Sequence, residues 1–391
     1  MAVPEPAPPD APLAQWAQIA RGHEEVFVLA MAAPHAGPAL VMGTADLGGF
    51  VWQGEVLSEY PDFSFFGLLT PGGTKQWGAE GVGVAYTEAL AAGGGAPALI
   101  AVAHTRAYPG APDLKLSADG GRSWAFTPSV NATLGAAAEL LGVAVEAWPR
   151  AAAPTRMVLV VSNSTPWASA DGGATWVRAT GPLPSTPFPA SGFSGNRYNM
   201  SRPLAADRPT AGPGGAGRPL FLFADCAAGR LLGSADGATW AYRGVAAAFP
   251  PTPRCVMEAN PAPGGGSFWL AADLAGLWLT RDGGSSLALV AAVARAYTVA
   301  AGAPLAPGAE PVVFVFGSLS DAPPGDDLGV IASADGGSAW VAVRAAGRVG
   351  LGNWPCALAA SRQLAGVVVV GSFGRGAMWA NATEALADLT R

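Results

Sequence analysis

One octapeptide recurs along the chain. It reads SADGGRSW at Ser117–Trp124, SADGGATW at Ser169–Trp176 and SADGGSAW at Ser333–Trp340. A copy shortened by one residue, SADGATW, lies at Ser234–Trp240, and a degenerate copy, TRDGGSSL, at Thr280–Leu287. The starts are 52, 65, 46 and 53 residues apart. Repetition at such a period means that one supersecondary unit is used several times. The peptide reads as a stapled hairpin turn. The Asp carboxylate accepts backbone N–H groups of the turn, the glycines permit positive φ, and the Ser or Thr hydroxyls bond the local backbone. The Trp then opens the next strand as an apolar anchor.

Each copy follows a short apolar run, a loop and a second short strand. Seven such runs begin at Pro38, Pro97, Arg156, Pro219, Ser267, Val312 and Val367, with gaps of 59, 59, 63, 48, 45 and 55 residues. Runs such as RMVLVV and VVFVFG, bounded by Gly and Pro, read as buried strands. A unit of about 55 residues holds one four-stranded sheet, and seven sheets in a ring leave few exposed edges. The expected fold is all-β, a single seven-bladed β-propeller over 21–382, with a flexible Pro-rich lead-in over 1–20 and a tail over 383–391. With the apolar run as strand B, the octapeptide is the Asp box and forms the C–D turn. Asp119, Asp171, Asp236, Asp282 and Asp335 are then structural, and degenerate boxes fall in blades one and seven, where terminal repeats are atypical.

Composition excludes several alternatives. Charged residues are 13% of the chain and hydrophobic ones 50%, which rules out disorder and a coiled coil. The net charge of -6, without a basic cluster, argues against a nucleic-acid partner. The most apolar stretch, Val26–Ala45, is broken by Pro34, Gly37 and Pro38 and reads as two strands, not a membrane span. The opening residues lack a basic start and an apolar core, so no signal peptide is expected. Four sequons, at Asn131, Asn163, Asn199 and Asn381, point weakly the other way, to secretion. Three Cys and three His share no ligand spacing, so neither a metal nor a cofactor is expected.

The layout sorts the loops by face. A–B and C–D turns share one face, B–C and D–A loops the other, and function is expected on the second. Three blades end strand B with Ala-Asp, at Asp46, Asp225 and Asp273. These carboxylates either converge on a cleft or each cap their own turn. The longest D–A connection is expected to run from Gln53 to Glu80, carrying Tyr60, Phe63, Phe65, Phe66 and Trp77. Its aromatics either offer platforms for sugar rings or cover a blade edge.

The segment Glu24–Trp52, which contains TADLGGF, resembles the start of the second propeller in the family 74 glycoside hydrolases, the xyloglucanases. ADRP at Ala206–Pro209 with GRLLGSADGATW at Gly229–Trp240, AGLWLTRDGGSS at Ala275–Ser286, and VVVVGSFGRGAMW at Val367–Trp379 continue the resemblance over about Gly22 to Ala380. It implies a polysaccharide ligand of the β-glucan type. It also implies an inverting mechanism in which one aspartate is the acid and another the base, about 6.5–9.5 Å apart. By resemblance Asp46 is the general acid, with Asp225 or Asp273 as in-ring candidate bases and Phe50, Trp52, Tyr60 and Trp77 as substrate contacts. The family takes its base from a first propeller that has no counterpart in this sequence. A His that follows the family's Gly-Gly-Phe is also replaced, by Val51 and Trp52. Three readings follow: a hydrolase using one ring or a second propeller domain or chain, a non-catalytic glycan-binding propeller, and a protein-binding propeller of the sortilin type. Asp boxes alone also admit a sialidase, but the Arg-Pro pairs at Arg202 and Arg208 come too late for its motif.

Overall fold

The computed structural model describes residues 15–18, 27–45, 48–53, 63–65, 80–91, 94–105, 112–135, 138–149, 154–161, 165–183, 201–208, 221–244, 248–261, 264–322, 328–343, 355–372 and 376–387. Its strands form seven four-stranded antiparallel sheets, the blades of a seven-bladed β-propeller. Within a blade, strand A is innermost and strand D outermost. The A strands are Val28–Ala32, Glu80–Tyr86, Leu140–Val145, Leu204–Ala206, Val256–Ala259, Val293–Pro304 and Pro355–Ala360 for blades 1 to 7.

All seven apolar runs form strand B. In blade 3 the run becomes Met157–Val161, paired on one side with strand A and on the other with Pro166–Ser169. Such strands are covered by blades on both faces, which explains unbroken apolar sequence where a one-sided sheet would alternate. Trp52, Trp269, Phe221, Phe223, Phe268 and Phe314 are among the largest fully buried side chains. Close approach of blades sets its own demand. A Cβ on Gly43 would overlap the Gly81 carbonyl of blade 2, so only glycine lets these backbones meet.

The octapeptides occupy the C–D turns of blades 2 to 6 and share one bonding pattern. In blade 2, Ser117 Oγ donates to Asp119 Oδ1 at 2.8 Å and accepts from Gly121 N at 2.7 Å. Ser123 N donates to Asp119 Oδ1 at 2.9 Å. Slight burial would raise the Asp119 pKa, but the Ser123 and Ser117 donors outweigh it and hold the carboxyl at about 2. The indoles of Trp124, Trp240 and Trp340 donate to the carbonyls of Gly121, Gly237 and Gly337. Trp176 instead donates to Ser129 Oγ at 3.1 Å. The degenerate copy keeps the carboxylate staple, with Thr280 Oγ1 donating to Asp282 Oδ1 at 2.9 Å, and has Leu287 where the indole would be.

Three stretches depart from the sequence expectation. Gln15–Gln18, inside the expected lead-in, is a strand that pairs with Ala377–Asn381 and supplies the fourth strand of blade 7. The ring is therefore closed by non-covalent pairing of distant segments. Phe63–Phe65, placed by sequence in a D–A loop, is the outer strand of blade 1, paired with Phe50–Trp52. Thr383–Ala387, inside the expected tail, is a short helix whose Leu386 is fully buried in the core shared with blades 6 and 7. Among the described residues, no helix is long and apolar enough to cross a membrane.

Candidate functional site

Two regions of the ring carry chemistry. The first is the B–C and D–A face between blades 4 and 5. Asp225 closes strand B of blade 4, is 2% exposed, and accepts Ala228 N on Oδ1 at 3.2 Å. Asp273, in the B–C turn of blade 5, has φ +54°, a conformation that Asp adopts more readily than most residues. Its Oδ2 accepts Arg254 Nε at 2.9 Å, and its backbone exchanges two hydrogen bonds with Ala296. The Arg254 guanidinium lies 4.4 Å from the Tyr297 ring centroid. A disulfide between Cys226 and Cys255 ties the B–C turn of blade 4 to the segment that leads into strand A of blade 5, with Cα atoms 5.9 Å apart. Both carboxylates thus hold up their own surroundings.

The other predicted residues fall differently. Asp46, Tyr60, Phe66 and Trp77 lie outside the described residues. Phe50 and Trp52 are 8% and 0% exposed in a core cluster with Leu40, Met42 and Val369, so neither offers a face to a sugar ring. The alternation of GGFVW fits a two-sided core strand, and in this blade the second side is covered.

The second region was not found from the sequence. It lies on the ring axis, toward the A–B face that the octapeptide turns share. Glu88, just past strand A of blade 2, is 4% exposed. Its Oε1 accepts Arg208 of blade 4 and Arg362 of blade 7, both at 3.0 Å. Its Oε2 lies 3.1 Å from His35 Nδ1 of blade 1. Burial alone would raise the Glu88 pKa, but His35, Arg208 and Arg362 more than offset it and hold the carboxyl far below the usual range. The Arg208 guanidinium stacks 4.0 Å over the Tyr86 ring. Deeper along the axis, burial raises the Glu258 carboxyl, against the pull of Arg208, Arg202 and Arg362. Arg202 Nη2 donates to Thr298 Oγ1 at 3.2 Å, reaching from blade 4 to blade 6.

Of these groups, Arg202 and Glu258 line an axial cavity of about 80 Å³. Every blade lines it, through Met31, Val84, Leu141, Leu204, Glu258, Val299 and Leu358, together with Arg202. Its side chains are apolar except for one guanidinium and one carboxyl, but polar atoms make up more of its surface than apolar ones. Among the described residues, no group of three or more His, Cys, Asp or Glu could hold a metal ion.

A seven-bladed propeller with a charged axis is the class this geometry defines. No protein-family model matches the chain, and no curated protein matches it. Solved structures do. The GH74 xyloglucanase from Xanthomonas campestris is similar with a TM-score of 0.62 at 23% identity, over 91% of this chain and 43% of that one. The GH74 enzyme of Niastella koreensis gives a TM-score of 0.59 at 18% identity, with the same coverages. YCF48 bound to D1 peptide gives 0.53 at 10% identity, over 98% of both chains. The chain spans less than half the length of the two GH74 structures. At these identities the likeness establishes the fold.

Proposed function

We propose that this ring is a glycan-binding propeller related to the xyloglucanase type and that alone it lacks an inverting acid–base pair. The observation that carries the reading is the commitment of both in-ring candidate bases. An inverting base must present a free carboxylate oxygen to a water on the far side of the sugar ring. Asp225 is buried under its own turn, and Asp273 is paired with Arg254. Releasing Asp273 would leave the Arg254 charge largely buried, a cost of several kcal/mol by the behaviour of broken buried pairs, about 3–5. Asp46, by resemblance the acid, falls in the sequence between Thr44, the end of strand B, and Gly48, the start of strand C, of blade 1. In this reading it contacts the glycan, and a second propeller would supply any base. The polysaccharide is then a β-glucan of plant type. Isothermal titration against xyloglucan, barley β-glucan and cellohexaose tests the binding. Saturable heat from at least one glycan, weakened by Asp46→Ala, supports it, and no heat from any of the three removes it.

A second reading has its own support. The match to YCF48, a structure described with a bound peptide, extends over 98% of both chains, whereas the xyloglucanase-type matches cover 43% of theirs. In that reading the ring binds a peptide segment. Peptide-array binding without glycan binding would favour it over the first.

A further inference from the structure

Four Asn-x-Ser/Thr sequons stand in the sequence, and none has a part in the proposed function. Two of them fall among the described residues, at Asn131 and Asn381, and the fold treats them differently. At Asn381 the side chain is committed. Its Oδ1 accepts Thr383 N at 3.0 Å and Thr383 Oγ1 at 2.6 Å. Its backbone sits between Val367 and Gln15 in blade 7, and Ala382 is 1% exposed. At Asn131 the whole tripeptide Asn131-Ala132-Thr133 is exposed. It lies on the helix Pro128–Leu134, whose one buried side chain is Val130. Ser129 pins that helix to blade 3, donating to the Gly173 carbonyl and accepting the Trp176 indole. Among the described residues, the Asn131 side-chain amide forms no hydrogen bond, so its nitrogen is open to a substituent. A helix of 7 residues does not hold in an unfolded chain, so the same tripeptide is also extended and accessible before the ring folds.

A second observation points to the compartment in which such a tripeptide is used. Cys226 and Cys255 form a disulfide across blades 4 and 5, and both residues are buried. Structural disulfides form and persist in oxidising compartments, the secretory path among them. That path is where surface sequons receive glycans. We propose that Asn131 is an N-glycosylation site, carrying an oligosaccharide on its side-chain nitrogen next to the outermost strand of blade 2. In the transfer, Asn131 Nδ2 forms a bond to the anomeric carbon of an oligosaccharide held on a lipid pyrophosphate. The anomeric C–O bond breaks, the lipid pyrophosphate leaves with that electron pair, and the amide nitrogen loses one proton. Nothing is oxidised or reduced in this step. Thr133 supplies the hydroxyl by which the transferase recognises the tripeptide. The proposal is independent of what the ring binds, and either reading stands without the other.

The test takes the natural protein from its own cells, digests it without reduction and analyses the peptides by mass spectrometry. The expected result is a cross-linked pair of peptides holding Cys226 and Cys255, together with a glycopeptide that spans Asn131. Enzymatic release of the glycan in heavy-oxygen water should then leave a heavy-oxygen aspartate at that position. The bare Asn131 peptide as the dominant form would overturn the proposal, and this needs no variant to fold. A second measurement uses the full chain secreted from a eukaryotic host behind an added leader. Asn131→Gln should migrate as one glycan lighter than the wild type. Read at the Asn131 peptide, Thr133→Ser should keep most of the occupancy and Thr133→Ala should lose it. Both positions are exposed, so the substitutions leave the core untouched. Equal glycan content in the wild type and Asn131→Gln, or full occupancy in Thr133→Ala, would overturn the proposal as well.

Discussion

Single side chains on the axis and between blades carry much of the electrostatic load. Glu88 is the clearest case, since one carboxylate serves two guanidiniums, from blades 4 and 7, and lies against the His35 imidazole of blade 1. Glu88→Gln leaves two guanidiniums buried with less than their charge compensated. We expect a loss of about 3–5 kcal/mol, read as a drop in the denaturant midpoint. Asp113 carries the opposite sign. It faces His104 in the sheet between strands B and C of blade 2, and burial raises its carboxyl to about 6 despite Lys115. Between the ordinary value near 4 and about 6, the folded chain holds a proton that the unfolded chain has lost, so this group makes stability fall as pH rises through that window. Asp113→Asn should therefore gain on wild type as pH goes from 4 to 7, by up to roughly 2–3 kcal/mol. Parallel stability curves for the two chains would contradict it. Residues of this kind are hard to find by reading. Glu88, Arg208 and Arg362 are isolated in three A–B turns spread over 274 residues, and only ring closure brings them together. The one available signal was the presence of charge at all in turns of a chain that is 13% charged. Phe50 and Trp52 misled in the other direction, because aromatic sequence next to a functional-looking loop does not say which side of the strand is covered.

At the scale of elements, the repeated turn is the unit of construction and was fully legible. Its carboxylate accepts at least three backbone or hydroxyl donors at once and fixes where strand D begins. In blade 3, Asp171 accepts Thr175 N at 2.9 Å and Ser169 Oγ at 2.8 Å. We expect Asp171→Ala to cost about 1–2 kcal/mol, the worth of a pair of such bonds. The buried Trp176 anchor should cost more, roughly 3–5 kcal/mol for Trp176→Ala. A chevron or equilibrium denaturation series ranks the two, and an equal or reversed order would show that the staple outweighs the anchor. The apolar strands were legible for the same reason as the turns, since each is a short run between breakers. Outer strands were legible only from the octapeptide that precedes them. Those of blades 2 to 6 are two residues long and that of blade 1 three, too short for any periodicity to register. The helix at Thr383–Ala387 is equally short, and it forms because Leu386 has a core to enter.

For the molecule as a whole, closure depends on Gln15–Gln18 completing blade 7. Alternate residues of a strand point their N–H toward the partner, so Trp16→Pro with Ala17→Pro removes at least one ladder bond whichever residue donates. The double variant should lower Tm by several degrees, as about 1–2 kcal/mol would for a protein of this size. An unchanged Tm would mean that the ring holds without its closing strand. The face assignment carries the functional account. The rim between blades 4 and 5 is locked by Asp225, the Cys226–Cys255 disulfide and the Arg254–Asp273 pair, and in the proposed function neither aspartate serves as a base. The most direct test incubates the chain, Asp46→Asn, Asp225→Asn and Asp273→Asn with xyloglucan, and reads both binding and reducing-end release. The account predicts saturable binding by the wild type and no release from any of the four. Release by the wild type that disappears in Asp46→Asn and in either of the other two would contradict it, and would mean that one ring holds a working pair.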